Sequence, residues 1–81
     1  MTVTIRYFAM LRQTAGRDHE VITLTDPDAS PSQLYDDAVA RHGINLDRSI
    51  VRAAINGRYV SWDSPISDGD EVVFIPPVSG G

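Results

Sequence analysis

The chain has 81 residues, a net charge of −4 and no cysteine. That length holds one modest core, burying a little over ~60% of the unfolded surface, and leaves no room for a second. The composition excludes disulfides and cysteine-based metal sites, and it argues against general affinity for nucleic acid. No stretch approaches the ~20 apolar residues of a membrane span, and the N-terminus opens on a strand pattern instead of a signal peptide, so a soluble cytoplasmic protein is expected.

Thr2 to Phe8 alternates strictly, with Val3, Ile5 and Tyr7 on one side and Thr4, Arg6 and Phe8 on the other, which predicts a strand. Ala9 to Ala15 is helix-prone and closes at Gly16, a suitable C-cap. His19 to Thr25 reads as a second, β-branched strand ended by Asp26-Pro27. Ser30-Pro31-Ser32-Gln33 opens the main helix: Ser30 and Gln33 form a capping box, and Pro31 suits the first helical position. Leu34, Tyr35, Ala38 and Val39 recur at helical spacing, and Gly43 follows the last turn. Ile50–Ile55 and Arg58–Trp62 flank Asn56-Gly57, a pair that favours the hairpin turn matching strand twist. Glu71 to Ile75 is the last strand, entered through Asp68-Gly69-Asp70 and ended by Pro76-Pro77. This order of about five strands and one main helix predicts an α+β fold with the helix packed on one face of the sheet.

Strand parity locates a second surface. In a two-residue hairpin Ala54 faces Tyr59 and Ala53 faces Val60, so Val51, Ala53, Val60 and Trp62 share the core side. The face that the helix leaves open gathers Phe8, Ala54, Tyr59, Val73 and Ile75, rimmed by Arg6 and Arg52. An apolar patch with a charged rim is what a protein-docking site requires.

The final residues Pro76-Pro77-Val78-Ser79-Gly80-Gly81 carry the chemistry. Extended, six residues reach about 20 Å at ~3.3–3.6 Å each. Two prolines stiffen the root, Val78 can anchor in an apolar pocket, and Gly80 and Gly81 fit a narrow channel in conformations other residues resist. The terminal carboxylate is unhindered. It can attack the α-phosphorus of ATP to give an acyl adenylate and pyrophosphate, after which a sulfide or persulfide displaces AMP and leaves a thiocarboxylate. All seven basic residues are arginine, so no side-chain ammonium is available for isopeptide attachment within or between copies.

Tyr7-Phe8-Ala9-Met10-Leu11-Arg12, Asp68-Gly69-Asp70-Glu71-Val72 and the terminal Pro-Pro-Val-Ser-Gly-Gly string together resemble the signatures of the small subunits of molybdopterin synthase, over the whole chain. The resemblance implies a ubiquitin-like β-grasp domain with a mixed sheet of about five strands over residues 1–75 and an extended, flexible tail over 76–81, with the last strand central beside the first. It implies a carrier, not a catalyst in its own right. Gly81, assisted by Gly80, would be adenylated by an E1-like adenylyltransferase using ATP and become 1-thioglycine with sulfur from a sulfurtransferase or persulfide donor. It would then donate that sulfur to cyclic pyranopterin monophosphate inside a large subunit, in a heterotetramer of two small and two large chains. Phe8, Arg12, Tyr59, Ile75, Pro76, Pro77, Val78 and Ser79 would contact partners. No bound cofactor or metal is implied, and neither nucleic acid nor membrane is a partner.

The helix opening Pro31-Ser32 departs from the common Thr-Val of that family, and Asn56-Gly57 stands where members vary. Asp68, Asp70 and Glu71 read as turn chemistry and not as a metal site, and Trp62 reads as core. His19 and His42 are isolated in sequence and read as surface residues. Three other uses of the tail stay open: a carrier for thiazole, cysteine or tRNA thiolation, a ubiquitin-like protein modifier, or an inert end on an interaction domain.

Overall fold

The computed structural model describes residues 1–77. Its elements follow the chain as β1 (Thr2–Tyr7), α1 (Ala9–Ala15), β2 (His19–Thr23), α2 (Pro31–His42), a 3-10 turn (Arg48–Ile50), β3 (Arg52–Ile55), β4 (Arg58–Val60) and β5 (Glu71–Ile75). The five strands form one sheet in the order β2-β1-β5-β3-β4. β5 lies at its centre, parallel to β1 and antiparallel to β3, while β1–β2 and β3–β4 are antiparallel. This is the mixed β-grasp arrangement expected, with the last strand beside the first. None of the described helices is long and apolar enough to cross a membrane.

Local signals set most of these boundaries. Ser30 accepts from the Gln33 N–H while Gln33 Oε1 accepts from the Ser30 N–H, so the capping box is reciprocal, and Gly43 closes α2 at φ 67°. Gly16 closes α1 in the same left-handed conformation, at φ 75°. Asn56 (φ 51°) and Gly57 (φ 86°) both take the positive φ that the predicted hairpin turn demands. The turn acids are engaged as expected: Asp68 accepts from the Thr2 N–H at 2.6 Å, and Asp70 accepts from the Ser67 N–H and the Asn56 amide, each at 2.8 Å.

α2 lays Leu34, Tyr35 and Ala38 onto Val3, Ile5, Tyr7, Val72 and Phe74, all of them buried. Each of the larger aliphatic and Phe side chains contributes about 1.5–3 kcal/mol by leaving water. Tyr35 meets Phe74 edge-on at 5.1 Å, and Trp62 stacks on Phe74 at 6.0 Å, so Trp62 belongs to the core as its parity implied.

Four strand limits differ from expectation. β2 ends at Thr23, although Met1 and Leu24 still exchange backbone bonds of 2.7 Å before the chain leaves the sheet. Ile50 sits in the 3-10 turn instead of β3, because the Asp47 carboxylate caps the Ser49 N–H at 2.8 Å and winds the chain there. β4 stops at Val60: beyond it the Trp62 carbonyl accepts from Ser32 N–H at the start of α2, and that of Ser61 accepts from Ser64. Ladder pairing of β1 likewise stops at Tyr7. Phe8 keeps an extended backbone as the residue capping α1, and Ala9 at φ 52° turns the chain, a conformation costing about 1–2 kcal/mol for a residue with a Cβ.

Candidate functional site

The open sheet face is built by register. Arg6 lies beside Val73, Val73 beside Ala54, and Ala54 beside Tyr59, so one row crosses four strands. A neighbouring pair, Arg52 and Ile75, completes the apolar end. Phe8, Ala54, Gly57, Tyr59, Glu71, Val73 and Ile75 line a shallow groove of about 320 Å³. Its walls are Phe8 and Tyr59, 47% and 60% exposed, which is uncommon for large rings without a partner.

Ala54 and Val73, expected on this face, do lie there but are 6% and 7% exposed. Both are short side chains at the middle of the sheet, so the larger residues around them shield them and they form a floor. Arg52 stacks its guanidinium 4.1 Å over the Tyr59 ring, which holds the ring in place. Arg6 pairs with Glu71 at 3.1 Å, so one rim cation is already partly neutralised.

Ile75 also borders an adjoining hollow of about 400 Å³, lined by Ser49, Ile50, Arg52, Tyr59, Pro76 and Pro77. The groove and the root of the C-terminal segment are therefore continuous. Pro77 is exposed, whereas Pro76 is buried, so packing runs one residue past the boundary at Ile75 and Pro76 presents little surface to a partner. Arg12 is exposed on α1 but lines neither hollow. Val78, Ser79, Gly80 and Gly81 lie outside the described residues.

Sequence reasoning missed two features. Ile50, 49% exposed, joins the hollow at the tail root, and the available signal was Asp47 two residues before Ser49, a local cap that bends the chain. The second is a buried charge cluster on the helix side of the sheet. Glu20, 8% exposed, accepts from the Tyr7 hydroxyl at 2.6 Å and from Arg41 at 2.8 Å, and His42 Nε2 lies 3.0 Å from the same carboxylate. Burial alone would raise the Glu20 pKa, but the hydrogen bonds from Tyr7, His42 and Arg41 outweigh it and hold the value down at about 2. Burial, reinforced by Glu20, pushes the Tyr7 hydroxyl up. His42 is thus a half-buried member of a network, packed edge-on against Tyr7 at 5.8 Å, and not an isolated surface residue. His19 is exposed, as expected, and contacts Asp18 at 3.0 Å.

Comparison with known proteins gives concordant findings. The ThiS family profile matches residues 5–81. The chain is 34% identical over 80 residues to the molybdopterin synthase sulfur carrier subunit of Escherichia coli K12, covering 98% of this chain and 99% of that one. It is 36% identical over 86 residues to the protein of the same name from Chlamydomonas reinhardtii, with full coverage of both. Among solved structures, SAMP1 from Haloferax volcanii superposes over the whole of both chains with a TM-score of 0.81 at 25% identity.

Proposed function

The chain belongs to the ThiS family, and from that premise we propose that it is the sulfur-carrying subunit of a molybdopterin synthase. The observation that carries the reading is the continuity of groove and tail root. Ile75 lines the apolar groove, Pro76 and Pro77 line the hollow beside it, and the sequence then runs to Gly80-Gly81. A partner seated on Phe8, Tyr59 and Ile75 would receive the terminal segment along its own surface, which fixes where the reactive end is delivered.

The chemistry assigned to Gly81 follows from its carboxylate. Its oxygen attacks the α-phosphorus of ATP on an E1-like adenylyltransferase, and pyrophosphate leaves. A persulfide sulfur from a sulfurtransferase attacks the acyl carbon, and AMP leaves. A thiol then cleaves the acyl disulfide to give the thiocarboxylate. Within the large subunit, the thiocarboxylate sulfur bonds to cyclic pyranopterin monophosphate, and water then cleaves the acyl–sulfur bond, so the terminus returns as carboxylate. With glycine at both final positions, no side chain crowds these displacements. The proposed setting is the cytoplasm, where such activating enzymes and thiols would be available.

Intact mass spectrometry tests this directly. After incubation with the activating enzyme of its host, ATP and a sulfur source, the chain should gain the mass of one oxygen-to-sulfur exchange, while a variant lacking Gly81 stays folded and unmodified. Adding the large subunit and cyclic pyranopterin monophosphate should reverse the gain. No exchange at position 81 overturns the carrier reading; a sulfur that the large subunit does not remove points to another acceptor pathway, and covalent adducts on other proteins point to a modifier.

A further inference from the structure

β2 is an edge strand, and its outer side is open. Met1 and Leu24 exchange backbone bonds at one end of the β1–β2 ladder, and the Tyr7 N–H donates to the Asp18 carbonyl at the other. Antiparallel bonding alternates by two residues, so Val3–Ile22 and Ile5–Glu20 are the bonded pairs between these ends. The N–H and C=O groups of His19, Val21 and Thr23 therefore point away from the sheet, and none of them has a backbone or side-chain partner among the described residues. Two common protections of an edge are absent: His19–Thr23 has no proline and no lysine, and Val21 is 64% exposed.

Beside this edge, on the helix side, a groove of about 370 Å³ runs between β2 and α2. Ile22, Leu24, Ala29 and Leu34 supply its apolar lining, and Asp26 and Asp37 stand at its rim. Asp37 is paired with Arg41 at 2.8 Å, whereas Asp26 has no cationic partner among the described residues. The groove lies at the opposite edge of the sheet from the β3–β4 hairpin and at the end away from the tail root, since Thr23 pairs with Thr2 while Ile75 follows the residue paired with Tyr7.

We propose that the β2 edge and the groove beside it bind an extended peptide segment of a partner protein, carrying apolar residues at alternate positions and a lysine or arginine flank. Added as a sixth strand, such a segment would satisfy the outward groups of His19, Val21 and Thr23. Its alternate side chains would fall on Ile22, Leu24 and Leu34 in the groove and beside Val21 on the open face. A basic flank would meet Asp26. A second copy of this chain fits poorly, because its own helix-side residues on β2 are Ile22 and Glu20, and Glu20 is committed to Tyr7, Arg41 and His42. Two chains of net charge −4 would also repel. This surface stands apart from the proposed tail chemistry and does not depend on it.

The probe is a synthetic peptide alternating valine or isoleucine with threonine, with a lysine at each end, titrated into isotopically labelled full-length protein. Amide shifts should concentrate at His19, Val21 and Thr23, with slowed exchange there. Val21→Pro removes an outward donor without touching the β1 ladder and should weaken binding at least ten-fold. Asp26→Asn, which removes the charge but keeps an acceptor for the Asp28 N–H, should also weaken binding and decides the matter where the proline variant fails to fold. The same peptide with glutamates for lysines should bind more weakly than the parent. No shifts at millimolar peptide, shifts centred on Phe8 and Tyr59, or concentration-dependent protection of β2 without peptide would each overturn the proposal, the last by showing that the edge pairs with itself.

Discussion

Glu20→Gln should uncouple the stability of this domain from acid. The carboxylate is 8% exposed and accepts hydrogen bonds from Tyr7, Arg41 and His42. Its folded pKa of about 2 lies below the unfolded reference of 4.5, so the folded state favours the ionised form. The contribution is complete above the unfolded value and is lost as pH falls toward the folded one. A difference of that size is worth about 3 kcal/mol at pH 7, falling to about 1 kcal/mol at pH 3. The amide keeps the shape and one acceptor for Tyr7 but loses the charge facing Arg41, so the variant should be less stable by about 2–3 kcal/mol at neutral pH. For a domain of this size that lowers the midpoint by roughly 10–20 °C. Urea unfolding of both proteins, repeated from pH 7 to pH 2.5, measures it: the gap between them should close by about 2 kcal/mol on acidification. Parallel curves, with the gap unchanged at pH 3, would show that Glu20 does not hold its charge through these contacts.

Tyr59→Asp should leave the unfolding free energy within about 1 kcal/mol, since the ring is 60% exposed, yet weaken binding to the large synthase subunit by about 2 kcal/mol or more, as loss of an aromatic anchor does; unchanged affinity by calorimetry would remove the open face from the docking scheme. Ser30→Ala removes the side-chain acceptor of the capping box and should cost about 1 kcal/mol by thermal denaturation, with no change in partner affinity because α2 covers the opposite face.

What could be read from the residues was whatever acts locally. The capping box, the two glycine stops and the Asn56-Gly57 turn each depend on neighbours within a few positions, and strand parity carried Tyr59, Val73 and Ile75 to one face by counting alone. The Glu20 cluster escaped because Tyr7, Arg41 and His42 lie 13, 21 and 22 residues from Glu20 and meet it only when β2 pairs with β1 and the end of α2 closes over both. Nothing around His42 in the chain announces a carboxylate. Ladder limits failed for a related reason: Trp62 ends β4 early because its carbonyl is taken by Ser32, thirty positions upstream. For Gly80 and Gly81 the position is reversed, since their assignment rests on sequence and chemistry alone.

Ala53 and Ala54 show how the two faces of the sheet constrain one another. Alanine is a weak strand former, and two in succession in a four-residue strand cost up to about 1 kcal/mol against β-branched residues. Their smallness is used on both sides. Ala53 lies opposite Phe74, in the register where Tyr35 and Trp62 pack against that ring, and a larger residue would compete for the same volume. Ala54 lies between Val73 and Tyr59 and forms the floor on which Phe8 and Tyr59 stand as walls. Valine at the first position would crowd the core, whereas valine at the second would raise the floor and flatten the groove with little effect on folding. A strand that runs against its own propensity at both faces is therefore where packing and docking meet, and it lies one ladder step from the central strand that leads into the tail.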